Sequence, residues 1–360
     1  MEQARAESIR VLMMPDYRTD NPYQTLLARG LEAAGTNVTF PAGYRRVLPF
    51  SRAVKDTESD VLHLHWLEPY LRGSGPVSNA VYAEKILFDL SLLKKKGVRL
   101  IYTEHNGLSH DTDRVAIEWR LRKRLFALVH HVIVHSHAAK TLVCETFGVD
   151  EQKITVIPHG HYRSYYGPAP TRDESRKRLG IDTEGRVYLH FGMLRPYKGI
   201  ENLLDAWKGH YVLNAQDRLF IAGRPIDDAY GAKLAQKAGQ TPGVNLRIGY
   251  VSDDDVPVYF GASDVVILPF RRILTSGSLI LAMSFDKPVI APRTGGLAEV
   301  MEGAEDLMYD PDDPAALANA LRVSTTLDLD ELSGRVRIAC NRLDWEGISK
   351  LTSEIYGKNK

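Results

Sequence analysis

Two doubly wound α/β domains, each a parallel sheet with helices on both faces, are predicted by three observations. The chain has 360 residues, more than the roughly 100–200 that one core usually serves, so two domains are expected. Short β-branched apolar runs alternate with amphipathic stretches, the pattern of parallel strands joined by crossover helices. That alternation starts afresh after HYRSYYGPAPTRDE, a loop rich in Pro, Gly and Tyr and suited to a domain boundary.

In the first domain, residues 1–165, strands are expected at IRVLMM, VLHLHW, VRLIYT, HVIVHS and ITVIPH. Apolar residues recur at helical spacing over Tyr23 to Ala34, Ala80 to Lys96, Arg114 to Val129 and Ala138 to Phe147. The second domain, residues 166–343, repeats the scheme with strands at VYLHFG, RLFIAG, LRIGY, DVVILPF and KPVIAP. Its helices are expected at Ile200 to Trp207, Asp228 to Ala238, Asp253 to Ala262, Gly277 to Ser284 and Pro314 to Val323. A last helix over Asp344 to Tyr356, within residues 344–360, can pack on either domain.

Composition narrows the function. A hydrophobic content of 44% and a charged content of 25% are those of a folded globular chain. The N-terminal MEQARAESIRVLMMPDY has neither a secretory apolar core nor a membrane span, so a cytoplasmic protein is expected. Cys144 and Cys340 lie in helical segments and read as reduced structural thiols. The net charge of +1 divides into +4 before residue 165 and −3 after it, too even a balance to predict nucleic-acid binding.

In doubly wound sheets ligands gather at the carboxyl ends of strands. Phe191 to Gly199, FGMLRPYKG, follows a strand and opens a helix with Arg195 and Lys198 three residues apart. Free backbone N–H groups, a helix dipole and two cations outline a diphosphate site, the alternative being a surface loop with solvated cations. Leu274-Thr275-Ser276-Gly277-Ser278 also joins a strand to a helix, with Ser/Thr for capping and Gly277 for close approach. APRTGGLAEV sets a glycine pair before Glu299, which can face a ligand or simply complement its helix dipole.

The segments FGMLRPYKGIENLLDAW, LFIAGRP, IGYVSDDDVPVYFGASDVVILPF, SGSLILAMSFDKPVIAP and TGGLAEV, in this order, resemble the GT-B glycosyltransferases, especially the group related to retaining bacterial mannosyl- and glucosyltransferases. HLHW, YTEHN, VIVHSHAAK and VIPHG carry the likeness more weakly through the first half. The resemblance implies two Rossmann-like domains facing a cleft, with a nucleotide-sugar donor on the second and an acceptor on the first. Arg195 and Lys198 would hold the diphosphate, while Thr275, Ser276, Gly277 and Ser278 would offer amides to phosphate or sugar. No cofactor and no divalent metal are implied, because basic residues neutralise the leaving diphosphate.

Two departures matter. Many retaining members carry paired glutamates at positions that align with Ile273 and Leu281 here, and neither side chain accepts a hydrogen bond. PDYRTDNPY, after the first strand, also lacks the usual glycines. Either the chain belongs to a divergent branch, an inverting one among the options, or other groups hold the sugar and ribose, or catalysis has been lost. An inverting course is slightly favoured, and it needs a general base within about 3 Å of the acceptor hydroxyl. YTEHNGLSHDTD supplies Glu104, His105, His110 and Asp111. His105 aligns with a histidine that resembling enzymes place near the donor sugar, and Glu104 or Asp111 is the expected base.

His63 and His65 share one face of their strand beside Trp66 and Glu68. They can line a sugar pocket, with His65 and Trp66 as acceptor contacts, or pack as hydrogen-bonded core histidines. His159 and His161 can touch the donor or cap a strand. RVAIEWRLRKRLFALVHH combines Arg120, Arg122, Lys123 and Arg124 with apolar residues, which suits either a solvated basic face or peripheral contact with an anionic membrane.

The expected activity is hexosyl transfer from a nucleoside-diphosphate sugar, GDP-mannose being one candidate, to a saccharide or lipid-linked acceptor in polysaccharide or glycolipid assembly. The alternatives are a sugar-nucleotide epimerase and a catalytically silent nucleotide-sugar binder.

Overall fold

The computed structural model describes residues 8–19, 21–41, 47–71, 73, 75–105, 115–271 and 273–357. The chain divides into two units, Met1–Gly160 with Asp344–Lys360, and His161–Leu343. The division falls at residue 160 rather than 165 because the expected linker already belongs to the second unit. There the Tyr162 amide donates to Ser284 Oγ at 2.8 Å and Arg163 pairs with Asp286 at 2.5 Å.

The first unit contains β1 (Arg10–Met14), β2 (Asn37–Thr39), β3 (Val61–Leu64), β4 (Arg99–Glu104), β5 (His131–Val134) and β6 (Ile154–Val156). They form one parallel sheet in the order β2-β1-β3-β4-β5-β6. The strand order reverses between β1 and β3, so the loops after these strands diverge and leave a crevice at their carboxyl ends. Helices on both faces bury the sheet, which is why β1 and β3–β5 read as nearly unbroken apolar runs.

The C-terminal helix, Trp345–Gly357, completes this unit by packing on the helix Pro22–Ala33. Contact is close at two glycines. A Cβ at Gly30 would lie 2.1 Å from Ser349 Oγ, and one at Gly160 would lie 2.3–2.6 Å from the Trp345 indole. Gly160→Ala therefore drives a methyl group into an aromatic ring. A loss of about 1–3 kcal/mol is expected, to be read as a lowered denaturant midpoint that Trp345→Leu in the same chain partly restores.

The second unit contains β7 (Val187–Phe191), β8 (Arg218–Gly223), β9 (Val244–Ile248), β10 (Val265–Ile267), β11 (Val289–Pro292) and β12 (Met308–Tyr309). Its parallel order, β12-β11-β10-β7-β8-β9, is the Rossmann order, and the reversal lies between β7 and β10. Trp207 is wholly buried here, and its Nε1–H donates to the Pro242 carbonyl at 3.1 Å. The sequence reading missed β2 and β12, together with the helices Pro49–Thr57, Arg172–Leu179 and Leu329–Asn341.

Candidate active site

In the second unit three strand-to-helix turns converge at the β7/β10 reversal. After β7 the chain turns at Gly192, forms the short 3-10 turn Pro196–Lys198 and enters the helix Ile200–Leu213 through Gly199. Gly199 has φ +70°, and a Cβ there would lie 2.0 Å from the carbonyl oxygen of Pro269, just beyond β10. Only glycine relieves both constraints, so the turn is pressed against the end of β10. Gly199→Ala is expected to lift the turn and weaken anion binding along with stability, measured as a smaller nucleotide-induced rise in Tm.

Lys198 is buried, and its Nζ donates to Ser278 Oγ at 3.4 Å. Burial, with help from the charge on Arg195, pushes its pKa down to about 8. Arg195 is half-buried. Ser276 caps the helix Gly277–Ser284, its Oγ accepting from the Leu279 amide at 3.1 Å. The Thr275 hydroxyl oxygen is buried and has no partner among the described residues. The third turn joins through the Gly296 amide, which donates to the Leu274 carbonyl at 3.0 Å. Glu299, exposed, sits in the first turn of the short helix Leu297–Val300. Thus Lys198 and Thr275–Ser278 come together directly, while Glu299 is linked through the chain.

One residue that sequence reasoning passed over lies beneath them. His190, on β7, is fully buried and donates from Nδ1 to the Ile267 carbonyl at 2.9 Å, leaving Nε2 without a partner among the described residues. Burial and the nearby Lys198 ammonium hold its pKa at about 3, so the ring is neutral.

In the first unit, histidines gather at the carboxyl ends of neighbouring strands. His65 Nδ1 lies 3.0 Å from His105 Nε2, and His105 Nδ1 lies 3.2 Å from His135 Nε2. His135 Nδ1 is 2.9 Å from the Ile157 carbonyl oxygen. Tyr23, at the start of the helix Pro22–Ala33, sets its ring against His65, His105, His135 and His159. Trp66 stacks on His105 with centroids 4.4 Å apart and touches Tyr17 at 5.1 Å. His63 is a packed core histidine, bonded to Tyr356 Oη and Thr103 Oγ1 at 2.7 Å each. His135 was missed, although each of four strand segments, HLH, TEH, IVH and IPH, ends in histidine.

Glu104 is not placed as a general base. It neighbours His105 on an extended chain and so points to the opposite face. There its carboxylate is buried in an ion pair with Arg122 at 2.7 Å. The helix Val115–Leu128 is likewise not a lipid-facing amphipath on its apolar side. Leu121, Leu125 and Phe126 are core residues and Arg122 is buried, leaving Arg120, Lys123 and Arg124 exposed. His110 and Asp111 lie outside the described residues. Among those residues no group of three His, Cys, Asp or Glu side chains is arranged to hold a metal ion.

Two Rossmann-like sheets, with basic and glycine-rich turns at the reversal of the second, are the architecture expected of a GT-B enzyme. The chain matches the family model "Glycosyl transferases group 1" over residues 185–324 and "Glycosyltransferase Family 4" over residues 11–161. The chain is a GT-B glycosyltransferase.

Among curated relatives, the GDP-mannose:glycolipid 4-beta-D-mannosyltransferase of Xanthomonas campestris pv. campestris is 28% identical over 312 residues, covering 82% of this chain and 79% of the relative. A D-inositol 3-phosphate glycosyltransferase of Corynebacterium glutamicum is 26% identical, covering 98% of this chain and 82% of the relative. In fold, the chain is similar to the sucrose-phosphate synthase of Thermosynechococcus elongatus, with a TM-score of 0.74 at 18% identity, covering 98% of each chain. It is also similar to Anabaena HepE in complex with UDP and glucose, with a TM-score of 0.73 at 19% identity, covering 98% of this chain and 100% of that one. The two curated relatives are named as transferases and the Thermosynechococcus protein as a synthase.

Proposed function

We propose that the enzyme transfers mannose from GDP-mannose to a glycolipid acceptor with inversion and without a divalent metal. The observation that carries the donor half is the buried Lys198 ammonium, 3.4 Å from Ser278 Oγ at the β7/β10 reversal. A cation kept out of water is poorly compensated until an anion arrives, and a diphosphate supplies that anion beside the amides of the helix Gly277–Ser284. Arg195 adds a second cation, and together they take the place of a metal in stabilising the departing nucleotide. The course is inferred from Ile273 and Leu281, which cannot act as the paired glutamates of retaining relatives. The Xanthomonas enzyme, named for GDP-mannose and a β-linked product, supports the same reading.

The test is ligand-induced stabilisation against UDP-, GDP-, ADP- and dTDP-sugars with EDTA present. A rise in Tm with GDP-mannose, lost in Arg195→Ala, supports the donor and its site; a rise with another base only replaces the donor. Dependence of the rise on added Mg²⁺ overturns the metal-free reading.

The acceptor's lipid suggests a membrane-facing surface. On the helix Pro76–Lys95, Val77, Val81 and Phe88 are exposed on one stripe, and Glu84 on that stripe is paired with Arg124. The adjoining helix presents Arg120 and Lys123. Apolar side chains beside exposed cations fit an anionic bilayer. Among the described residues no helix is long and apolar enough to cross one. Co-flotation with phosphatidylglycerol vesicles is expected for the wild-type chain and is expected to fail for Val77→Asp/Phe88→Asp; equal flotation of both would remove this surface from the proposal.

A further inference from the structure

The sequence points to His105 as the histidine nearest the chemistry, yet both of its ring nitrogens are already engaged. The hydrogen-bond chain fixes where each proton sits. A carbonyl oxygen only accepts, so His135 must carry its hydrogen on Nδ1 to bond Ile157 at 2.9 Å. Burial holds His135 at about 4 and keeps the His65 and His105 rings well below 6.5, so all three are neutral near pH 7. His135 Nε2 is then a lone pair and takes a hydrogen from His105 Nδ1, which in turn leaves His105 Nε2 as a lone pair. That lone pair takes a hydrogen from His65 Nδ1. His65 Nε2 is left bare, buried and without a partner among the described residues.

One peptide carbonyl thus polarises three imidazoles in series. Register explains the spacing. Glu104 pairs with Val134, and Val134 with Val156, so the next residues, His105, His135 and Ile157, stand side by side just past the sheet. His65 stands on the other side of His105, and its amide donates to the Met14 carbonyl at 3.0 Å. This places it at the β1/β3 reversal, where such sheets bind ligands. An unmade hydrogen bond at a buried ring nitrogen is costly, and a hydroxyl-bearing ligand would make it.

We propose that His65 Nε2 is the general base for the acceptor hydroxyl, and that His105 and His135 are positioning residues that relay the proton. This rests on the inverting transfer proposed above. The acceptor O–H bond breaks and its proton binds His65 Nε2. The His65 Nδ1 proton passes to His105 Nε2, and the His105 Nδ1 proton passes to His135 Nε2. Meanwhile the oxygen's electron pair forms the new bond to the sugar's anomeric carbon. The bond from that carbon to the diphosphate breaks, and its electron pair leaves with the nucleotide. The positive charge comes to rest on His135, whose Nδ1–H faces the Ile157 carbonyl, with the Tyr23 ring 5.7 Å away and the His159 ring 5.5 Å away.

The test begins with nitrogen NMR of the full chain labelled with ¹⁵N-histidine at pH 7, without ligand. All three rings are expected to be protonated on Nδ1 and bare on Nε2. In His135→Phe, which removes the carbonyl-anchored end, His65 is expected to move its proton to Nε2, a change that loss of packing at residue 135 does not produce. With GDP-mannose and a lipid-linked saccharide, His65→Gln is expected to lower kcat by about 10²–10⁴-fold while the donor KM and the GDP-induced rise in Tm stay unchanged. A wild-type His65 protonated on Nε2, or a His65→Gln chain that transfers at the wild-type rate, overturns the proposal. Should the wild-type chain transfer from no GDP-sugar, the donor assignment fails, and the wild-type tautomers still decide whether the relay exists.

Discussion

Acidification is expected to unfold the first unit ahead of the second, with most of the loss between pH 6.5 and 4. Burial holds His63, His135 and His159 at about 3, about 4 and about 3, and pushes His65 and His105 well below 6.5. In the unfolded chain each ring takes up a proton as pH falls through its ordinary value near 6.5, while the folded chain leaves it neutral. The unfolded state therefore binds more protons, and stability falls with pH until the folded values are reached. Each ring contributes a slope of about 1.4 kcal/mol per pH unit, about 7 for the five together. A domain stability of roughly 5–15 kcal/mol is exhausted within one to two pH units at that slope. His190, held at about 3 in the second unit, adds a slope of only about 1.4 kcal/mol per pH unit there. Brief pepsin pulses at stepped pH, followed by mass spectrometry, should cut first within residues 47–160. First cuts within 187–309, or no cutting down to pH 4, would show that burial does not hold these rings neutral.

The second large effect concerns Lys198, where function and stability are expected to move in opposite directions. Folding takes the ammonium out of water and lowers its pKa from 10.5 to about 8. That shift corresponds to a destabilisation on the order of 3 kcal/mol at neutral pH. Lys198→Met removes this desolvated charge and nearly preserves the stem's volume, so the ligand-free chain should melt higher than wild type. The same change withdraws the cation that is proposed to meet the departing diphosphate. Loss of one preorganised electrostatic contact reduces turnover by about 10²–10³-fold, and GDP-mannose should no longer raise Tm. For the wild type, the ammonium is present below its pKa and lost above it, so donor affinity should decline as pH rises past 8. A Lys198→Met chain that melts lower and still responds to GDP-mannose would place the diphosphate elsewhere.

Much of the site's second half could be read in the sequence because its chemistry is local. Arg195 and Lys198 share one turn, and Ser276 caps the very helix it precedes. The first half depends on alignment between strands, which sequence spacing does not report. Glu104 and His105 look equivalent in the string TEHN, yet alternation sends one to Arg122 and the other to His65 and His135. Some elements were missed because the signal was too short or too polar, whereas the helix Leu329–Asn341, with Leu332, Val336, Ala339 and Cys340 buried on one stripe, had a legible pattern. β2 and β12 have three and two residues, fewer than any periodicity needs. The helix Arg172–Leu179 buries only Ser175 and Arg176 and so lacks an apolar stripe, although its capping box, Thr171 with Glu174, was visible in TRDE.

The return of the helix Trp345–Gly357 to the first unit bears on how the protein is made. Residues 161–343 form one uninterrupted segment and can fold as it leaves the ribosome, as domains generally do during synthesis. The first unit, although translated earlier, waits for Trp345 to cover Gly160 and for Tyr356 to reach His63. The first unit is therefore completed last, after residues 161–343 have been made. A ribosome that stalls before codon 345 releases a chain whose second unit is whole and whose first unit lacks its closing helix, a built-in distinction between finished and unfinished chains.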